Sequence, residues 1–160
     1  MNIEFRDAGA NDCEVIGLLV MQLTKEISER TSSRHFDIDI DNTIGLCRAL
    51  LLAGQYKAIL AYAKERPIAV ATLAETFALY AGGKIGVVQE FYVDPDFRSK
   101  GVGRRLIDEI RDLGRKHGCS CIELTSPPLP EFERTLGFYE RNGLAPVGGR
   151  KMRQYLETLG

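Results

Sequence analysis

Apolar and polar positions along the chain fall into two rhythms, and their succession sets out the elements. Ile3 to Ala8 suits a strand, and Asp12 is placed to cap a helix whose apolar residues Val15, Ile16, Leu19, Val20, Leu23 and Ile27 recur at helical spacing. A polar loop follows, then a helix predicted over 42–53 that ends at Gly54. Lys57 to Lys64 and Pro67 to Tyr80 read as two strands with a turn at Glu65-Arg66. Gly82-Gly83 then turns the chain into a further strand, whose apolar run Val87 to Val93 is interrupted by Glu90. Val102, Leu106, Ile107, Ile110 and Leu113 form the buried stripe of an amphipathic helix, with Asp112 and Lys116 able to pair on its wet side. Cys121 to Thr125 is another strand, and Pro127, Pro128 and Pro130 rule out regular pairing just beyond it. A short helix over about 131–142 ends at Gly143 in the manner of a C-terminal cap, and Arg150 to Leu156 reads as a closing strand. Strands alternating with helices in this way give an α/β fold with a mixed sheet.

Composition narrows the class. A chain of 160 residues can bury a full core, and no linker, repeat or low-complexity tract divides it, so residues 1–160 read as one domain. The net charge of −1, with basic residues interspersed among acids everywhere except in one stretch, argues against a nucleic-acid-binding surface. No apolar run approaches a membrane span and the first residues lack a signal-peptide pattern, which places the protein in the cytoplasm and away from membranes. The four cysteines, Cys13, Cys47, Cys119 and Cys121, lack zinc-knuckle spacing and a second ligand cluster, so reduced thiols and no metal are expected.

The exceptional stretch is Arg98-Ser99-Lys100-Gly101-Val102-Gly103-Arg104-Arg105, between the strand that holds Glu90 and the amphipathic helix. Two glycines let the backbone turn tightly, unpaired N–H groups at a helix start can point at one anion, and the cations add a field of the same sign. A Rossmann fingerprint would need a third glycine where Leu106 stands, and a Walker loop a longer spacing closed by Gly-Lys-Ser/Thr. Glu123 lies about twenty residues on, the spacing of a ribose-binding acid in a Rossmann unit, but inside a strand instead of at its end. Two readings remain on these residues: a phosphate cradle, or a tight turn with a solvated basic rim.

Glu90-Phe91-Tyr92-Val93-Asp94-Pro95, Phe97-Arg98-Ser99-Lys100-Gly101-Val102-Gly103 and Leu106 together resemble the acetyl-CoA motif of the GNAT superfamily of N-acetyltransferases. Phe138-Tyr139-Glu140-Arg141-Asn142-Gly143-Leu144 resembles the second motif of that family. The resemblance implies a mostly antiparallel sheet flanked by helices, with two strands splayed around an acetyl-CoA groove. It also implies acetyl-CoA as co-substrate, with Phe91, Tyr92 and Val93 pairing with its pantetheine arm as strands pair. The pyrophosphate would rest on the segment Arg98, Ser99, Lys100, Gly101, Val102, Gly103 and Arg104.

Acyl transfer to an amine needs a base, because an alkylammonium with a pKa near about 10.4 is mostly charged at neutral pH. Glu90 is the candidate base, acting directly or through a water, and Tyr139 the candidate acid toward the departing thiolate. The alternatives are a cross-strand or surface carboxylate for Glu90, and for Tyr139 a core residue with its hydroxyl on a backbone carbonyl. A backbone N–H near Phe91 would meet the oxyanion. The family often carries Asn seven residues before the Tyr; here Phe132 stands there, so a polar contact to the pantetheine is missing or comes from Thr125 or Ser126.

The acceptor is least defined. If extended, His35 to Asp41 would put Asp37, Asp39 and Asp41 on one face able to attract a cationic amine, against the alternative of a solvated loop whose Asp41 or Asn42 caps the next helix. Tyr80 and Tyr92 are further candidates for the pocket wall. A small-molecule amine comes first, a protein N-terminus or lysine second, and a non-catalytic acyl-CoA sensor is the alternative of a different class. The resemblance leaves a homodimer open.

Overall fold

The computed structural model describes residues 2–32 and 39–157. In chain order, β1 (Ile3–Asp7) is followed by α1 (Cys13–Thr31) and α2 (Ile40–Leu52), then by β2 (Tyr56–Ala63), β3 (Arg66–Ala78) and β4 (Gly83–Val93), and last by α3 (Val102–Lys116), β5 (Cys121–Leu124) and α4 (Glu133–Arg141). The five strands form one sheet in the order β1-β2-β3-β4-β5. Neighbours are antiparallel as far as β4; β5 runs parallel to β4 because α3 carries the chain back across the sheet.

Helices cover both faces, which is why β2 and β3 read as nearly continuous apolar runs. On one face Ile59, Ala61, Ala71, Leu73 and Val88 pack with Leu106 and Ile110 of α3. On the other, Ala58, Leu60, Tyr62, Val70 and Tyr92 pack with Cys13, Ile16 and Leu19 of α1 and Cys47 of α2. The odd and even positions of β2 divide cleanly between the two, as the pleat demands.

One irregularity positions the site. Ala71 pairs with Phe91 and Leu73 with Val88, so two steps along β3 match three along β4, and the spare residue is a β-bulge at Gln89-Glu90 opposite Thr72. Val88 and Val93 therefore share a core although they are five residues apart. Glu90 falls on the α1/α2 face with Tyr92, and Phe91 on the α3 face. Pairing of β4 with β5 stops at Val88 and Leu124, leaving the last residues of β4 without a strand on that side. β5 ends at that point, while β4 runs on to Val93.

Several expectations are corrected. Asp12 stands at the N-cap position of α1, but its carboxylate makes no capping bond to the helix and instead accepts from the N–H of Gly9 at 2.7 Å, closing the short 3-10 turn that leads into it. The turn after β2 is Lys64-Glu65, with Lys64 at φ 56°, because Arg66 already pairs with Ala63. Helix α2 starts at Ile40, since Asp39 and not Asp41 or Asn42 is the cap, accepting from Asn42 N–H at 3.0 Å. Asp112 pairs with Arg115 at 2.9 Å instead of Lys116. Residues 150–156 form no strand: Gly148 and Gly149 both take positive φ, and Met152 and Leu156 stay exposed beside Arg150 and Lys151. Among the described residues no helix is long and apolar enough to cross a membrane.

Candidate active site

The turn between β4 and α3 is built around two left-handed residues, Ser99 at φ 61° and Gly101 at φ 82°. A side chain at Gly101 would meet open space, so it is the conformation that calls for glycine there. Among the described residues, none of the six successive N–H groups from Ser99 to Arg104 donates to a protein acceptor; the first to do so is Arg105, to the Gly101 carbonyl. Such a row at a helix start, where the macrodipole is positive, is an anion site in waiting. Gly103 answers a different need from the close phosphate approach a glycine suggests in sequence. A Cβ there would sit 2.9 Å from Cζ of Phe138, so its absence lets α3 and α4 touch.

The cations divide into two groups. Arg98 is turned inward: Nε donates to the Val93 carbonyl at 2.8 Å, and its terminal nitrogens reach Glu26 of α1 at 2.7 and 3.2 Å. Lys100 donates to the Asp96 carbonyl at 3.0 Å. Arg104, Arg134 and Arg141 have no acidic partner among the described residues, and all three line one cavity.

That cavity, about 530 Å³, runs from the turn along the unpaired edge of β4. Its wall takes in Phe91, Tyr92, Val93, Arg98, Ser99, Gly101, Gly103, Arg104 and Tyr139 from the residues singled out in sequence. Lys100, Val102 and Glu90 are not in the wall; Val102 is sunk in the core under α3, where its side chain anchors the helix start. Sequence reasoning missed Glu26 and Arg30. They form an i,i+4 pair on α1, a pattern identical to any solvated helix face, and only the fold shows that Arg30 caps the ring of Phe132 at 3.9 Å and bonds the Glu131 carbonyl. Phe132, at the position where a polar contact was sought, is a buried aromatic wall; Thr125 and Ser126 lie outside the lining.

Tyr139 is held by an aromatic cluster, its ring 5.8 Å from Phe91 and 5.5 Å from Phe138. Its side chain is 6% exposed and its hydroxyl has no protein partner among the described residues, yet no buried polar atom there is left sealed without one. The hydroxyl therefore opens toward the cavity and is not tied to a backbone carbonyl. Burial pushes the phenol well above its ordinary range and keeps it protonated.

Glu90 lies on the other side of β4. Tyr56 Oη donates to its carboxylate at 3.4 Å, and its own N–H, freed from the ladder by the bulge, donates to Thr72 Oγ1 at 3.0 Å. Thr72 is the buried polar residue of the core. Burial raises the Glu90 pKa, and the Thr72 and Tyr56 hydroxyls partly offset it by stabilising the charged form. A carboxylate in this setting is a stronger base than one in water. Elsewhere, Asp37 and His35 lie outside the described residues, and Tyr80 is exposed at the β3–β4 turn. All four cysteines are free, with Cys13 and Cys47 buried and Cys121 exposed.

Residues 19–144 match the model of the acetyltransferase (GNAT) family. The chain belongs to that family. Among its relatives is the L-amino acid N-acyltransferase MnaT of Escherichia coli, 30% identical over 115 residues that cover 69% of this chain and 66% of that protein. Glucosamine 6-phosphate N-acetyltransferase of Trypanosoma brucei brucei is 34% identical over 62 residues, 39% of each chain. The chain thus spans less than two thirds of either relative's length. The fold matches the solved aminoglycoside N-acetyltransferase AAC(6')-Iy in complex with CoA with a TM-score of 0.78 at 17% identity, over 96% of this chain and 95% of that one.

Proposed function

We propose that this GNAT protein is an N-acetyltransferase that moves the acetyl group of acetyl-CoA to the primary amine of a small molecule. The observation that carries the reading is the continuity of one cavity from six N–H groups, past the open edge of β4, to a buried tyrosine hydroxyl, the N–H groups and the hydroxyl alike without a partner among the described residues. A diphosphate fits the row of donors, and the unpaired Arg104, Arg134 and Arg141 give the cavity the sign an anionic nucleotide needs. Backbone groups of Phe91 to Val93, with no strand beside them, suit the amides of a pantetheine arm. Held at both ends, the thioester reacts as if intramolecular.

In this reading Glu90 takes the proton of the acceptor ammonium from the α1/α2 side of β4, through a water. The amine attacks the thioester carbonyl, and a backbone N–H beside Phe91 supports the oxyanion. As the carbon–sulfur bond breaks, Tyr139 donates to the thiolate. A phenol with a raised pKa gives up its proton reluctantly, but the same apolar walls disfavour a bare thiolate, which draws the proton across. The relatives named for an L-amino acid and for glucosamine 6-phosphate support a small amine over a protein substrate.

A thiol-release assay with acetyl-CoA against a panel of amino acids, amino sugars and peptides tests this. Turnover on a small amine is expected, and Tyr139→Phe should slow kcat by roughly 10²–10⁴-fold while the donor KM stays within a few-fold. Saturable donor binding with no turnover on any amine would support a sensor instead.

A further inference from the structure

We propose that Tyr56 is the positioning residue for Glu90: its hydroxyl fixes the carboxylate on the α1/α2 side of the bulge and holds it ready as a base. This deepens the proposed function and rests on its assignment of Glu90 as that base. Four observations point to Tyr56.

The first is isolation. Among the described residues the groups that face Glu90 are Tyr56 from β2, Thr72 from β3 and Cys47 from α2, with Cys13 of α1 behind Cys47, and no lysine or arginine shifts it. Two hydroxyls are all that stabilise the charge. The second is geometry. Thr72 Oγ1 accepts the Glu90 N–H and its hydroxyl also favours the charged carboxylate, while Tyr56 Oη, donating at 3.4 Å from β2, is the contact made to the carboxylate alone, so it orients the side chain and not the backbone. Loose in the free protein, it has room to shorten once the site fills. The third is the support of Tyr56 itself. It is half-buried in the first position of β2, paired with Ala74, so its ring direction is set by the sheet and not by a loop. The fourth is its outer side. Tyr56 also lines a second cavity of about 260 Å³, with Asp7, Lys57 and His117. Tyr56 thus stands between Glu90 and a second opening in the protein surface.

The charge of Glu90 is thus maintained by a neutral donor, so removing the donor should make the carboxyl harder to ionise. Loss of Tyr56 adds to the direction burial already imposes.

Two readouts test this on the full-length protein. With glutamate labelled at the side-chain carboxyl carbon, the Glu90 resonance is assigned as the one lost in Glu90→Gln, and its titration is followed by NMR. Tyr56→Phe should raise the midpoint by about 0.5–1 pH unit, the lower part of what a charge-assisted bond gives because this one is long. The acidic limb of kcat/KM should move upward by the same amount, with CoA affinity unchanged. In the Glu90→Gln background the added Tyr56→Phe should alter neither rate nor profile.

An unmoved NMR midpoint overturns the inference at its root. A moved midpoint with an unmoved limb overturns the positioning role, and if Glu90→Gln keeps full activity the base assignment falls and takes the inference with it. Should Tyr56→Phe prove unstable, Tyr56→3-fluorotyrosine, a stronger donor of the same shape, should shift both readouts the opposite way, and no shift would count against the proposal.

Discussion

Thr72→Val removes one oxygen from the core and keeps its shape. Thr72 is 1% exposed, and its hydroxyl accepts the Glu90 N–H that the bulge has taken out of the β3–β4 ladder. With valine in place that N–H has no acceptor, a loss of about 1–3 kcal/mol when the group is buried. Glu90 is only partly buried, so water recovers some of it, and the extra methyl contributes up to about 0.8 kcal/mol in the other direction. The net expectation is a loss of about 0.5–1.5 kcal/mol, confined to the bulge. For a domain whose urea m-value is about 2 kcal/mol/M, the unfolding midpoint should drop by about 0.3–0.7 M at constant m, followed by circular dichroism. Activity should fall further than stability alone explains, because the bulge is what turns Glu90 to the α1/α2 face. A variant as stable and as active as the parent would refute the idea that this hydroxyl maintains the bulge.

Two other variants probe different contacts. Gly103→Ala places a Cβ 2.9 Å from Phe138, whose ring is backed by Phe91 and Tyr139, so a destabilisation of about 1–3 kcal/mol by urea titration is expected, with a raised donor KM; an unperturbed protein would show that the α3–α4 contact is loose. Burial raises the Glu90 pKa above its unfolded value of 4.5, so this carboxyl favours the native state below that pH and loses its contribution as pH rises through the folded pKa. Glu90→Gln should therefore be more stable than the parent at pH 7–8 and equal to it below about pH 4.5, in urea midpoints taken across that range; a difference independent of pH would contradict the linkage.

Much of this architecture was legible because local signals agreed with one another. The stripe of α3, the glycines after β4 and the proline cluster after β5 each permit one conformation, and helix and strand follow. The family resemblance pointed to the turn after β4 and to Tyr139, which lie on the wall of one cavity. What pattern could not show was the bulge at Gln89-Glu90, since an extra residue in a strand leaves the composition of the run unaltered and shows only against its partner. With it went the side on which Glu90 lies, and so the roles of Thr72 and Tyr56, which are thirty-odd or eighteen residues away in the chain. Glu26, Arg30, Arg134 and Arg141 escaped for a related reason: charges on amphipathic helices look alike until the fold decides which of them face a cavity. The strand expected at 150–156 failed because β-compatible residues there follow two left-handed glycines and carry three positive charges.

The row of amides from Ser99 to Arg104, without acceptors among the described residues, is the proposed grip on the donor, and calorimetry with coenzyme A and with pantetheine, which lacks the diphosphate and the nucleotide it carries, tests that grip most directly. Saturable heat with coenzyme A, and an affinity at least about 100-fold weaker for pantetheine, is the expected result. No heat with coenzyme A, or equal affinity for the two, would contradict it.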